Sequence, residues 1–461
     1  MLLFYGKKRN KYYDLGGLMR IQLSDHFTYR KLIRFVLPSV VMMVCTSLYS
    51  IVDGLFVSNF VGKTPFAAIN LTMPLLMGLG SIGFMIGTGG SAIVSKTLGE
   101  GKEDRASQYF TLLVAAAAVL SLVFGITGFI FARPIMAAMG ARGEMLEYCV
   151  IYARISLCSM PAFFLQNVFQ NFLVVAERPE LSLKVSIMAG LTNVVLDFVF
   201  IVIFKWGIVG AAVATAMGEV VGGVAPILYF AGKGNRLIRF TKTRLYGNVI
   251  LKACANGSSE LMTNVSMSLV NMLYNFRLMA VAGENGIAAY GVIMYVNFVF
   301  SSMYIGYSIG AAPIVSYHYG AGNRTELKNL LKKSLGLIGL TGIVLTALAE
   351  ITSGPLVEIF VGYDRELFEM TCHGFRIYAL FFIICGFNIW SSAFFTALGN
   401  GVVSATISFL RTLVFQSGAV MLLPIFLGLD GVWLAVVAAE IMALCVSAIF
   451  CVAQRKKYGY L

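Results

Sequence analysis

The sequence predicts an all-α integral membrane protein: twelve transmembrane helices in two six-helix repeats, an N-lobe and a C-lobe, around a central cavity. Composition is the first reason. Of 461 residues, 58% are hydrophobic and 12% charged, with a mean hydropathy of +0.82; soluble domains hold about 45–50% apolar and about 25% charged residues. Length is the second. An apolar helix of about 20 residues crosses the ~30 Å hydrocarbon core, and twelve stretches of the chain reach that scale. An internal repeat is the third: displacing the chain by 221 residues lays its second half on its first.

The first span, Phe35 to Val61, carries one ionisable group, Asp53. A carboxylate at the bilayer centre costs about 2.5–3.5 kcal/mol, so Asp53 is expected to face protein or water. Tyr49 lies one turn earlier on the same helix face, and Pro38 predicts a helix bend near one end. The other spans are expected at 66–95, 108–132, 148–174, 183–204, 207–230, 250–282, 287–316, 334–352, 371–397, 402–427 and 430–453. Residues 1–34 are polar and basic, so no cleavable signal peptide is expected. Residues 231–249 form the one long polar connection. The expected organisation is therefore a cytoplasmic segment 1–34, an N-lobe 35–230, a cytoplasmic linker 231–249, a C-lobe 250–453 and a cytoplasmic tail 454–461.

An even number of spans puts both termini on one side. The N-terminal segment, the central connection as far as Lys252, the C-terminal tail and the loops on that same side hold 26 of the 35 lysines and arginines. The positive-inside rule then places both termini in the cytoplasm and the chain in the cytoplasmic membrane. The net charge of +13 reflects topology, and no nucleic-acid partner is expected. The eight cysteines lie mostly inside spans without a C-x-x-C pair, so they read as small buried hydrophobes, and no metal is expected from them.

The repeat is strongest between Ala67–Gly101 and Ala288–Gly322, where Gly89/Gly310, Ser95/Ser316, Gly99/Gly320 and Gly101/Gly322 are identical. It later pairs Pro134/Pro355, Asn167/Asn388, Gly210/Gly431 and Glu219/Glu440. Six spans per repeat give both halves the same direction, so an axis along the membrane normal should relate them. Asp53 and Asp197 break the pattern, falling on Tyr274 and Gly418. Packing residues repeat and these acids do not, which points to an ion site in the N-terminal half. In the fifth span Asn193 and Asp197 share a face at i and i+4, and the sixth presents Thr215. At about 1.5 Å per residue Asp53, Asp197 and Thr215 reach similar depth. Two carboxylates, an amide and a hydroxyl there could hold a proton between the acids or cage a sodium ion.

PSVVMMVCTSLYSIVDGLFVSNFVG, GTGGSAIVSKTLGEG and NVVLDFVF followed by GIVGAAVATA resemble the multidrug and toxic compound extrusion (MATE) transporters. The resemblance spans roughly residues 30–455 and is nearest to the bacterial DinF/MepA-like branch. It implies an alternating-access exporter, usually of organic cations and drugs, with H⁺ or Na⁺ as coupling ion, no cofactor, no enzymatic activity and a monomeric chain in the bilayer. It assigns ion coupling to Asp53, Asp197, Asn193, Thr215, Tyr49 and Asn167, and the first-helix bend to Pro38. In a NorM-like branch the C-lobe holds an acidic ion site. Here Glu260 stands near one of its positions and Asn388 where an acid would be, so these two are only candidates; Glu260 could equally cap the Gly257–Ser259 segment.

Other signals carry less. GLGSIG (Gly78–Gly83) lies inside an apolar span with no strand before it, so close helix packing explains it better than a nucleotide fold. His318 and His373 read as ordinary polar contacts near helix ends. The recurrence of Glu219 as Glu440 favours a shared structural role such as bonding loop amides. Arg411 either pairs with an acid or lines the cavity. Outside multidrug export, a related two-lobe flippase for a lipid-linked precursor comes next; a channel or a membrane enzyme has no supporting motif.

Overall fold

The computed structural model describes residues 21–232 and 236–460; the basic residues expected between 1 and 20 lie outside it. Among the described residues the regular elements are all helical. They are α1 (Tyr29–Phe60), α2 (Lys63–Gly99), α3 (Glu103–Ala138), α4 (Gly143–Val175), α5 (Pro179–Asp197) and α6 (Gly207–Ala231). Then follow α7 (Gly247–Gly320), α8 (Arg324–Val361), α9 (Arg365–Ala379), α10 (Phe381–Ala397), α11 (Gly401–Phe409) and α12 (Ser417–Tyr458). Two π-helical turns, Phe198–Ile203 and Leu410–Gln416, continue α5 and α11.

Twelve spans emerge because the longest helices are broken. α7 breaks at Gly283 (φ 61°, ψ −149°) and α12 at Gly428 (φ 56°, ψ −133°), conformations that only glycine adopts cheaply. The same displacement of 221 carries Gly283 onto Gly62 (φ 118°) and Gly428 onto Gly207 (φ 58°). Those two glycines part α1 from α2 and the first π turn from α6. The repeat thus extends to the backbone of its turns. The tenth span is α9 and α10 together, bent by 45°. Neighbouring hydroxyls bond carbonyls on both sides of the break: Thr346 Oγ1 donates to Ala379 at 3.2 Å and Tyr304 OH to Phe382 at 2.7 Å. In hydrocarbon such groups must be satisfied within the protein. α1 runs as one helical segment through Pro38.

The six-helix lobes meet at the end that carries the basic loops. A Cβ on Gly99 would strike the carbonyl of Tyr317, and one on Gly320 the carbonyl of Lys96. Lys96 and Tyr317, like the two glycines, are partners in the repeat, so these contacts are symmetry copies. Deeper in, Gly89 of α2 lies against Ala253 and Gly257 of α7, and its repeat partner Gly310 lies against Val36 of α1. Backbone-to-backbone approach through small residues is how helices associate where lipid is as apolar as the side chains. The chain before α1 straps the same end. Leu23 N donates to Glu177 of the N-lobe at 2.8 Å. Phe27 N donates to Glu326 of the C-lobe at 2.9 Å, and His26 Nδ1 lies 2.6 Å from that carboxylate. Asn329 closes the strap on the Phe27 carbonyl at 3.0 Å.

Large apolar side chains such as Leu228, Ile351 and Phe426 stand exposed on the outside of the bundle, the surface a bilayer covers. This corrects the reading of the cysteines as buried throughout. Cys149 and Cys385 are buried, but Cys158 and Cys445 are exposed on helix faces inside their spans, because in a membrane protein the apolar exterior is as hospitable to a thiol as the core.

Candidate functional site

The site lies inside the N-lobe, where α1, α4, α5 and α6 converge. α5 carries Asn193 and Asp197 on one face, both buried, with Asp197 fully so. The helix changes to a π turn directly after Asp197, a local widening that is common at functional positions. Asp53 of α1 stands against Asp197, the two carboxyls within interaction range, with the Asn193 amide beside Asp53. Both oxygens of Asp197 and Oδ1 of Asp53 are buried without a hydrogen-bond partner, as is Asn193 Oδ1. Asn193 Nδ2 donates to Thr215 Oγ1 of α6 at 3.4 Å.

Four of the expected residues therefore come together with Asp53: Asp197, Asn193, Thr215 and Tyr49. The Tyr49 ring packs on Gly190 of α5, where a Cβ would come within 2.6 Å of it. Asn167 spends its amide N–H on the Phe163 carbonyl of its own helix at 2.9 Å. Three contributors were not anticipated. Tyr152 of α4 lies within electrostatic range of Asp53, Asp197 and Glu219 and beside Thr215. Glu219 accepts from Ser159 at 2.6 Å, which corrects the expectation that it bonds loop amides. Gln166 reaches Tyr49 and presses on Gly222. Glu219 had a signal in the sequence, standing one turn after Thr215 on the same helix face; Tyr152 and Gln166 had none.

Among the described residues no lysine or arginine pairs with Asp53, Asp197 or Glu219. Two unit charges about 4 Å apart at an effective dielectric near 20 repel by about 4 kcal/mol. A proton or a small cation shared between the acids removes that repulsion. No cluster of three or more His, Cys, Asp or Glu side chains placed for a metal occurs among the described residues.

The C-lobe candidates do not form a comparable pair. Asn388 Nδ2 donates to Glu440 at 2.6 Å and its Oδ1 accepts from Ser447 at 3.0 Å, and Glu260 belongs to neither bond. Glu260 does not cap a helix either, since Gly257–Ser259 lie within α7. Glu440, too, bonds side chains in the bundle rather than loop amides, and Arg411 is one of them. Of the histidines, His373 pairs with Asp430 at 2.8 Å, and His318 is buried edge-on to Phe27.

Solved structures match this fold over nearly its whole length. A MATE crystallised in complex with MaL6 superposes with a TM-score of 0.90 at 22% identity, covering 95% of this chain and 98% of its own. An outward-facing multidrug resistance MATE family transporter of the MOP superfamily gives 0.87 at 23%, with coverage of 95% and 98%. In sequence, the multidrug export protein MepA of Staphylococcus haemolyticus is 23% identical over 420 residues, 90% of this chain and 91% of that one. The MatE family model matches residues 38–199 and 261–418, which takes in both repeats and most of the chain, and the protein belongs to the MatE family.

Proposed function

We propose that this protein is a secondary exporter of organic, mostly cationic compounds, and that H⁺ or Na⁺ entering through the N-lobe acids drives it. The observation that carries this reading is the meeting of half-buried Asp53 with fully buried Asp197, where Oδ1 of the first and both oxygens of the second are buried without a hydrogen-bond partner and no lysine or arginine pairs with either. Such a pair binds a cation reversibly, and Asn193, Thr215 and Tyr49 supply the polar wall around it. Asn167, on α4 next to Gln166, is proposed as a further polar residue of this lobe. The names of the relatives, a multidrug export protein and a multidrug resistance transporter, support drugs as the substrate class.

The positive-inside count supports cytoplasmic termini, with lobes 35–230 and 250–453 joined through the linker 231–249 and the tail 454–461 on the same side. In that orientation the glycine contacts and the strap close the cytoplasmic end, the geometry of a carrier shut toward the cytoplasm. Cation loading at Asp53 and Asp197 would act on α1, which carries Pro38 and Asp53 and packs on the other lobe through Val36. To drive transport the cation must bind the two conformations unequally. No enzymatic step, cofactor or nucleic acid is needed, and one chain supplies the whole pocket.

Ethidium uptake into everted vesicles tests this. Uptake under an imposed pH gradient, lost in Asp197→Asn, is the result expected for proton coupling; uptake that requires a Na⁺ gradient and is lost in the same variant is that expected for sodium. Normal transport by Asp197→Asn would overturn the coupling site.

A further inference from the structure

The C-lobe keeps one acid of its own at the place that corresponds to Glu219, and treats it differently. Glu440 is 3% exposed, and both its oxygens are engaged: Arg411 Nε donates to Oε1 at 2.7 Å and Asn388 Nδ2 to Oε2 at 2.6 Å. Glu219 is only half-buried, and its bonded oxygen meets the neutral hydroxyl of Ser159. The rest of the N-lobe pocket is gone from the C-lobe. The displacement of 221 turns Asp53 into Tyr274, Asp197 into Gly418, Asn193 into Val414 and Thr215 into Val436.

One exchange runs the other way. Gly190, whose missing side chain makes room for the Tyr49 ring, corresponds to Arg411, and Tyr49 corresponds to Val270. In the N-lobe a tyrosine fills the space beside the acid, and a glycine faces it. In the C-lobe the tyrosine has shrunk to valine and the glycine has grown into an arginine that reaches the acid. The second π turn, Leu410–Gln416, contains that arginine.

We propose that Arg411 is a tethered cation: its guanidinium stands at Glu440 where a transported ion would otherwise stand, so that no ion is exchanged at Glu440 and the C-lobe counterpart of the N-lobe pocket takes no part in coupling. The proposal rests on the reading of the N-lobe acids given above. A guanidinium keeps its charge throughout the physiological range, and one on the same chain is never released. The titratable groups around the pair are Tyr274, Tyr378 and Cys385, none of them carboxylic or basic. Arg411 is therefore what balances Glu440. Removing it leaves a buried, uncompensated carboxylate, which must recruit a proton or Na⁺.

Infrared difference spectra of the reconstituted protein, taken between acid and neutral pH and with and without Na⁺, test this without requiring transport. Arg411→Gln should gain one carboxyl equivalent that responds to pH or Na⁺ and is missing in wild type. Arg411→Lys and the double variant Arg411→Gln with Glu440→Gln should lack it. A spectrum of Arg411→Gln identical to wild type, or a new signal that survives in the double variant, would overturn the assignment. If the single variant does not fold, the charge-balanced double variant carries the test: its ethidium uptake should keep the wild-type dependence on pH and Na⁺ gradients, and loss of that dependence would count against Arg411. Failure of the N-lobe reading would show separately, as normal uptake in Asp197→Asn.

Discussion

Buried carboxylates that face each other without a counter-charge weaken the fold that contains them, so relieving the conflict should cost function and improve stability. Asp197, fully buried with both oxygens unbonded, is the sharpest case. Asp197→Asn should melt higher than wild type in detergent at neutral pH, by about 1 kcal/mol or more, while uptake falls to background. A lower melting temperature would mean that the carboxylate is held by partners it does not have here. Gly190→Ala acts by volume. Its Cβ would lie 2.6 Å from the Tyr49 ring, and overpacking of this kind costs about 1–3 kcal/mol. The ring must leave the acids, so uptake should drop while both carboxylates remain.

Single helices are shaped by where their backbone hydrogen bonds are interrupted. Gly283 and Gly428 hold conformations that cost other residues about 1–3 kcal/mol, so Gly283→Ala or Gly428→Ala should lower thermal stability by that order without touching either acid. An unchanged melting curve would place the breaks elsewhere. At the bend between α9 and α10, Tyr304 OH bonds the Phe382 carbonyl at 2.7 Å. Tyr304→Phe should cost about 0.6 kcal/mol, up to about 2, as measured for such bonds in membranes. The π turns after Asp197 and around Arg411 belong to this scale too, since each widens a helix beside its lobe's charged group.

For the molecule as a whole, the decisive feature is the closed basic end. Gly99 and Gly320 meet the opposite lobe's backbone in two symmetry-related contacts, and these must separate if the lobes are to open there. Cysteines replacing Lys96 and Tyr319, whose side chains meet across the lobes at 5.0 Å, should be joined by a short thiol-cleavable cross-linker, and the joined protein should stop transporting until the linker is cleaved; continued transport would show that this contact is static. The strap should loosen when Glu326 is replaced. Glu326→Ala removes the acceptor for Phe27 N and His26, and labelling of single cysteines at the basic end should increase.

The sequence by itself determined the twelve spans, the two-fold repeat and most of the acid pocket. Each follows from chain-local physics: apolar length sets a span, a constant displacement exposes a repeat, and a carboxylate within hydrocarbon marks itself by its cost. Asn193 and Asp197 were legible because they sit on one helix at i and i+4. Tertiary structure alone decided which distant groups meet. It brought Tyr152 and Gln166 to the acids, left Asn167 bonded to its own helix, and joined Arg411 to Glu440 across 29 positions. It also bent the tenth span and ran α1 as one helical segment through Pro38. These outcomes depend on how helices rotate and pack against one another, through glycine contacts between lobes and hydroxyls that reach across to carbonyls beside a break. No one-dimensional pattern records that rotation.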